Sequence, residues 1–106
     1  MAEMMRLIDW RPLRQGKLLG FATVELPVVG LRVHDVPVLQ GRGGPWACVP
    51  TKPEVDRDGR QRRDVDGTPR YARVLSWTTR RYEQAFSARI VALVKARYPS
   101  DLADVA

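Results

Sequence analysis

This sequence predicts an α+β fold: a small antiparallel β-sheet of about four to five strands with a C-terminal α-helix packed on it. Two observations predict it. Before Thr78, short runs rich in β-branched and aromatic residues are separated by turns bearing glycine and proline. From Thr78 onward the period changes, and Tyr82, Phe86, Ile90, Leu93 and Val94 recur at helical spacing. At 106 residues the chain suits one domain, 1–106, with a single modest core.

Each element follows in order. Met4 to Trp10 is mostly apolar and reads as a first strand, ended by Arg11-Pro12. Gln15-Gly16-Lys17 is a turn. Leu18 to Leu26 is a strand with one wet face, Ala22, Val24 and Leu26 lying opposite Thr23 and Glu25. Pro27 and Gly30 mark a bend before a strand from Leu31 to Gln40. Pro37 within it lacks a backbone donor and calls for an edge position or a bulge. Gly41 to Gly44 turns tightly, and Pro45 to Pro50 returns as a short strand. Residues 51–69 are polar, broken at Asp58-Gly59 and Asp66-Gly67, and form the segment expected to be mobile. Arg70 to Trp77 is an imperfect strand. The helix covers roughly 79–98, with Thr78 or Thr79 as N-cap and Pro99 as stop. Residues 100–106 are expected to fray. The chain shows no internal repeats, heptads or low-complexity tracts.

Charge separates the function classes. The formal net charge is +6. Nearly all of it lies in residues 60–81, where seven arginines face only Asp64 and Asp66. Arginine suits bidentate phosphate contact, so the window reads as a footprint for nucleic acid or another polyanion. No apolar run approaches the ~20 residues that span a bilayer, and MAEMMRLIDW has no apolar signal core. A protein of the cytoplasm, without membrane association, is therefore expected. Cys48 is the only cysteine, which excludes an internal disulfide and suits a reducing compartment.

The apparent catalytic features fail on geometry. His34 and Asp35 are neighbours in a predicted strand, where successive side chains point to opposite faces. They are not expected to act as base and orienting carboxylate. The glycines around Arg42 lack the Lys-Ser/Thr and the following helix of a phosphate loop; Pro45-Trp46-Ala47 reads as strand instead. Asp56, Asp58, Asp64 and Asp66 do not match the spacing of a calcium loop. Cys48 has apolar neighbours and no cation beside it, so it reads as inert filling. No catalytic residue, metal ligand or cofactor is assigned, and the chain is not expected to be an enzyme.

The run Val33-His34-Asp35-Val36, then Val38-Leu39, Gly41, Gly44, Trp46 and Val49-Pro50-Thr51-Lys52, resembles the signature hairpin of the stage V sporulation protein G family. That pattern is roughly V-H-D-I/L-R-V-I-x-G-x-x-G-x-F-V-A-M-P-S-K. The resemblance runs back through Gly16-Lys17 and Phe21 to Val24, and forward to Arg63-Asp64 and Thr79-Arg80. Pro37 stands where the family has a basic residue, and the family's H-P-I segment is absent. The resemblance implies a small cytoplasmic bacterial protein, dimeric, that regulates by binding DNA and in some cases RNA, with links to septation and sporulation.

The expectation is thus a homodimeric nucleic-acid-binding regulator. Its phosphate contacts would come from Lys52, Arg60, Arg62, Arg63, Arg70, Arg73, Arg80 and Arg81, with Tyr71 or Trp77 stacking on an unpaired base. The alternative is an adaptor whose sheet edge and arginine-rich loop dock an acidic partner protein without nucleic acid.

Overall fold

The computed structural model describes residues 5–103. Met4, where the first strand was expected to begin, and residues 104–106 of the expected tail lie outside them. Six strands and one helix follow along the chain: β1 (Arg6–Gln15), β2 (Leu18–Leu26), β3 (Leu31–Gly41), β4 (Gly44–Ala47), β5 (Thr51–Pro53), β6 (Tyr71–Arg73) and α1 (Arg80–Arg97). The first four make an antiparallel sheet in the order β1-β2-β3-β4, and β5 pairs with β6 in a second, two-stranded sheet. The α+β expectation holds.

The inward face of the large sheet carries Trp10, Ala22, Val24, Val36, Val38 and Ala47, all buried. Against it lie Phe86, Ile90 and Val94 from α1, spaced by four so that they share one stripe. The helix crosses the sheet from edge to edge. Near β4 the Ser87 hydroxyl accepts from the Ala47 N–H at 2.8 Å. At the other edge Arg97 donates to the Leu7 carbonyl of β1 at 3.1 Å. Thr79 caps the helix, its hydroxyl accepting from the Tyr82 N–H. Tyr82, assigned to the apolar stripe from its spacing, is exposed. Among the described residues no helix is long and apolar enough to cross a membrane.

Four local expectations need correction. Arg11-Pro12 does not end β1, which runs on to Gln15. Because β1 is an edge strand, the missing N–H of Pro12 is tolerated. Pro37 lies in a strand paired on both sides, yet its site is special in two ways. The ladder to β4 ends next to it, with Ala47 opposite Val38, and the Pro37 carbonyl still accepts from the Cys48 N–H at 3.2 Å. A bulge also precedes it: between Ala22↔Val36 and Val24↔Val33, two steps along β2 match three along β3. The returning strand stops at Ala47 instead of Pro50, and the strand after Arg70 is only three residues long.

The tail is the fourth correction. Pro99–Leu102 form a 3-10 turn with Leu102 buried at 4% exposure. The Trp10 indole N–H donates to the Asp101 carboxylate at 2.9 Å, and Arg14 donates to the Asp101 and Ala103 carbonyls. Proline stopped the helix, but the chain beyond it packs back on β1.

Candidate nucleic-acid interface

The candidate site is the segment from Thr51 to Arg73, here called the arm, together with the start of α1. The arm is a meander of three chain passes. Two of its turns have the same form eight residues apart, Asp56-Arg57-Asp58-Gly59-Arg60 and Asp64-Val65-Asp66-Gly67-Thr68. In each, the first aspartate's N–H donates to the fifth residue's carbonyl, and the glycine N–H returns to the first carbonyl. Gly59 and Gly67 adopt positive φ of 80° and 87°, which explains their place in the motif. This short repeat was missed in the sequence. Its aspartates work as turn caps: Asp56 Oδ1 accepts from the Asp58 and Arg60 N–H groups, and Asp66 Oδ1 from that of Thr68. The Thr68 backbone N–H, joined by its hydroxyl, holds the Asp66 carboxyl below the ordinary carboxylate range. That cap is therefore lost only as pH falls through the lowered value. Among the described residues no group of three or more His, Cys, Asp or Glu could hold a metal ion.

The three passes meet at Glu54, Arg62 and Arg70 in a closed ring of backbone bonds. Glu54 N–H donates to Arg70, Arg70 to Arg62 and Arg62 to Glu54, at 3.0, 2.9 and 2.7 Å. The Glu54 carboxylate then forms ion pairs with the guanidinium groups of Arg62 and Arg70, at 3.4 and 3.6 Å. Arg70 also reaches Asp64 at 3.7 Å, and Arg63 donates to the Gly67 carbonyl. Counting from residue 60 leaves out this carboxylate, so the arm is less basic than its sequence window. Half-exposed pairs of this kind contribute about 0–1 kcal/mol each, but they commit the guanidinium groups.

The eight nominated cations are all exposed, and they divide into two sets. Arg62, Arg63 and Arg70 are engaged within the arm. Lys52, Arg60, Arg73, Arg80 and Arg81 form no side-chain ion pair among the described residues. The register sets Lys52 opposite Ala72 and Thr51 opposite Arg73, so these two cations stand on opposite faces of the small sheet. Arg80 and Arg81 are the first residues of α1, where the helix dipole is positive and Glu83 is the only acidic residue of the first turn.

The aromatic assignment also changes. Trp77 packs on Phe86 with ring centroids 4.9 Å apart and belongs to the core margin. Tyr71 is exposed as expected of a stacking residue. The sequence reading passed over Trp46, which is 44% exposed and shares a groove between β4 and α1 with Arg80 and Gln84. Strand alternation was the available signal: with Ala47 inward, Trp46 faces out. Gly41 leaves room for its ring, since a Cβ there would lie 2.8 and 2.9 Å from indole atoms.

At the bulge the expected alternation of His34 and Asp35 breaks down. Asp35 has φ of +55°, and both side chains are exposed between the inward Val33 and Val36. Asp35 pairs with Arg11, whose guanidinium lies 5.6 Å from the Phe21 ring centroid. Cys48 sits just past β4, half-buried. Burial, and then the nearby Glu83 charge, push its thiol above the ordinary range. Folding holds the thiol protonated, so stability tied to it is full at neutral pH and falls as pH rises past the ordinary thiol value. Iodoacetamide at neutral pH is expected to alkylate Cys48 more slowly in the folded chain than in urea; equal rates would refute that protection. Searches of protein-family models, curated proteins and solved structures found no match to this chain.

Proposed function

We propose that this chain is a nucleic-acid-binding regulatory protein of the bacterial cytoplasm, acting as a homodimer through its exposed arginines. One observation carries the reading. Arg80 and Arg81 stand at the positive end of α1, opposed by the helix dipole and without an ion-pair partner among the described residues. Cations there cost helix stability, and a bound phosphate relieves that cost while also meeting the N–H groups of the first turn. Local rules broken without compensation within the chain are expected at functional sites. Trp46 in the groove beside Arg80 and the exposed Tyr71 add stacking surfaces for an unpaired base. The resemblance of the β3–β4 hairpin to the stage V sporulation protein G family supports the same reading from sequence.

The test is a mobility-shift series with double-stranded DNA, single-stranded DNA and RNA across salt concentrations. Binding is expected to fall steeply with salt, through release of counterions. Substituting Arg80→Ala and Arg81→Ala together should weaken binding to all sequences alike and flatten the salt slope by about 2. Glu54→Gln should strengthen binding, because it frees Arg62 and leaves Arg70 only its contact to Asp64. Affinity independent of salt would refute the phosphate reading. An acidic protein retained after nuclease treatment, with no shifted nucleic acid, would favour the adaptor instead.

A further inference from the structure

The end of the molecule at the Pro27–Gly30 turn is apolar and open. Two adjoining grooves, of about 210 and about 480 Å³, share Leu26, Trp77 and Phe86 as their floor. Val28 and Val29 project at the rim, 77% and 69% exposed, and Tyr82 stands exposed across from them. Leu31 and Leu75 extend the same surface around the smaller groove. Exposed apolar residues scattered singly need no explanation, but a contiguous patch around an open groove does. The Trp77 indole N–H is also buried without an acceptor, an unmet polar group in this wall.

We propose that two copies of this chain meet here about a two-fold axis, the Val28–Val29 tip of each seating in the groove of the other. A two-fold contact needs one patch carrying both projection and recess, and this patch carries both. Charge favours a second copy over a partner recognised by its charge. The chain carries +6, so two copies repel over most of their surface, whereas among the described residues Arg89 is the one charged residue lining either groove. The outer sheet face is a poorer match, because the Arg11–Asp35 and Arg32–Glu25 pairs interrupt its apolar residues. The inference rests on the homodimeric part of the proposed function and gives it a location.

Sedimentation velocity over a dilution series tests it. The unaltered chain should show twice the 12.0 kDa monomer mass at high concentration. The double substitution Val28→Asp with Val29→Asp should give a folded monomer, by circular dichroism and melting, because both positions are exposed. Leu13→Asp, on the outer face, should leave the dimer intact and serves as control. A monomeric unaltered chain, a dimer that survives the double substitution, or loss of the dimer in the Leu13 variant each overturns the proposal. Nucleic-acid binding is scored separately: a monomer that binds with salt dependence refutes the homodimer and this interface but leaves the nucleic-acid reading standing, a dimer that survives the double substitution refutes only this interface, and a dimer that binds nothing refutes only the nucleic-acid reading.

Discussion

Replacing Trp10 by alanine is expected to destabilise the fold by about 3–5 kcal/mol, in the upper part of that range. The ring is buried on the inward face of β1, and the chain is shaped around it. A Cβ on Gly20 would lie 2.6 and 2.7 Å from two indole carbons, so β2 approaches the ring as closely as backbone can. A cavity left by the ring is therefore bordered by sheet backbone, which cannot collapse as side chains do. The loss also reaches the C-terminal turn, since the indole N–H anchors Asp101. Urea titration should show a lower midpoint with an unchanged slope, and hydrogen exchange should show faster exchange at the Asp101 and Ala103 amides. Trp10→Phe separates the two roles: it keeps most of the packing yet should speed the same amides. A cost under about 1 kcal/mol for Trp10→Ala would mean the ring is peripheral.

The parts of the fold that the sequence made legible are those where a local rule and the tertiary context agree. β2 needs both, and its bounds of Leu18–Leu26 match the expected strand. Thr79 and Pro99 delimit α1 because a cap and a missing donor act within one turn. Errors arise where long-range position decides. Pro12 breaks a central strand but not an edge, and sequence alone does not say that β1 is an edge. The tail packs because Trp10 and Arg14 lie ready for it some ninety residues away. The bulge at His34 and Asp35 keeps Val33 and Val36 both inward, a three-residue spacing that strict alternation does not anticipate.

The candidate site was legible in kind more than in arrangement. Exposure of all eight nominated cations follows from their type, and the structure agrees. Which of them are available for an external anion depends on Glu54, eight residues before Arg62 and sixteen before Arg70. Only the ring of backbone bonds brings that carboxylate to both. The paired Asp-x-Asp-Gly turns that build the ring were visible as turns, but their common function in closing it was not. Trp46 and Trp77 exchange roles for a similar reason: one faces out by strand alternation, and the other is covered by Phe86 from a distant helix.

Phe86→Ala provides the second large effect, about 3 kcal/mol, at the lower end of the range for a buried aromatic. Phe86 is as fully covered as Trp10, but its smaller ring buries less area. Its surroundings also differ. It borders two open grooves, and its neighbour Trp77 lies at the core margin, so the site can relax into the space left. Phe86→Leu should cost less, about 1 kcal/mol, because it fills most of the volume. Acrylamide should also quench tryptophan emission more strongly in Phe86→Ala, as Trp77 loses the ring against it. If copies of the chain meet at this end, dimerisation adds to folding by mass action, and the unaltered chain should melt higher as concentration rises. Phe86→Ala removes floor from the same groove, so its cost should grow with protein concentration, whereas the cost of Trp10→Ala should not. A Phe86→Ala cost constant across concentration, in a chain that does dimerise, would separate this groove from the dimer contact and leave Phe86 a role in packing alone.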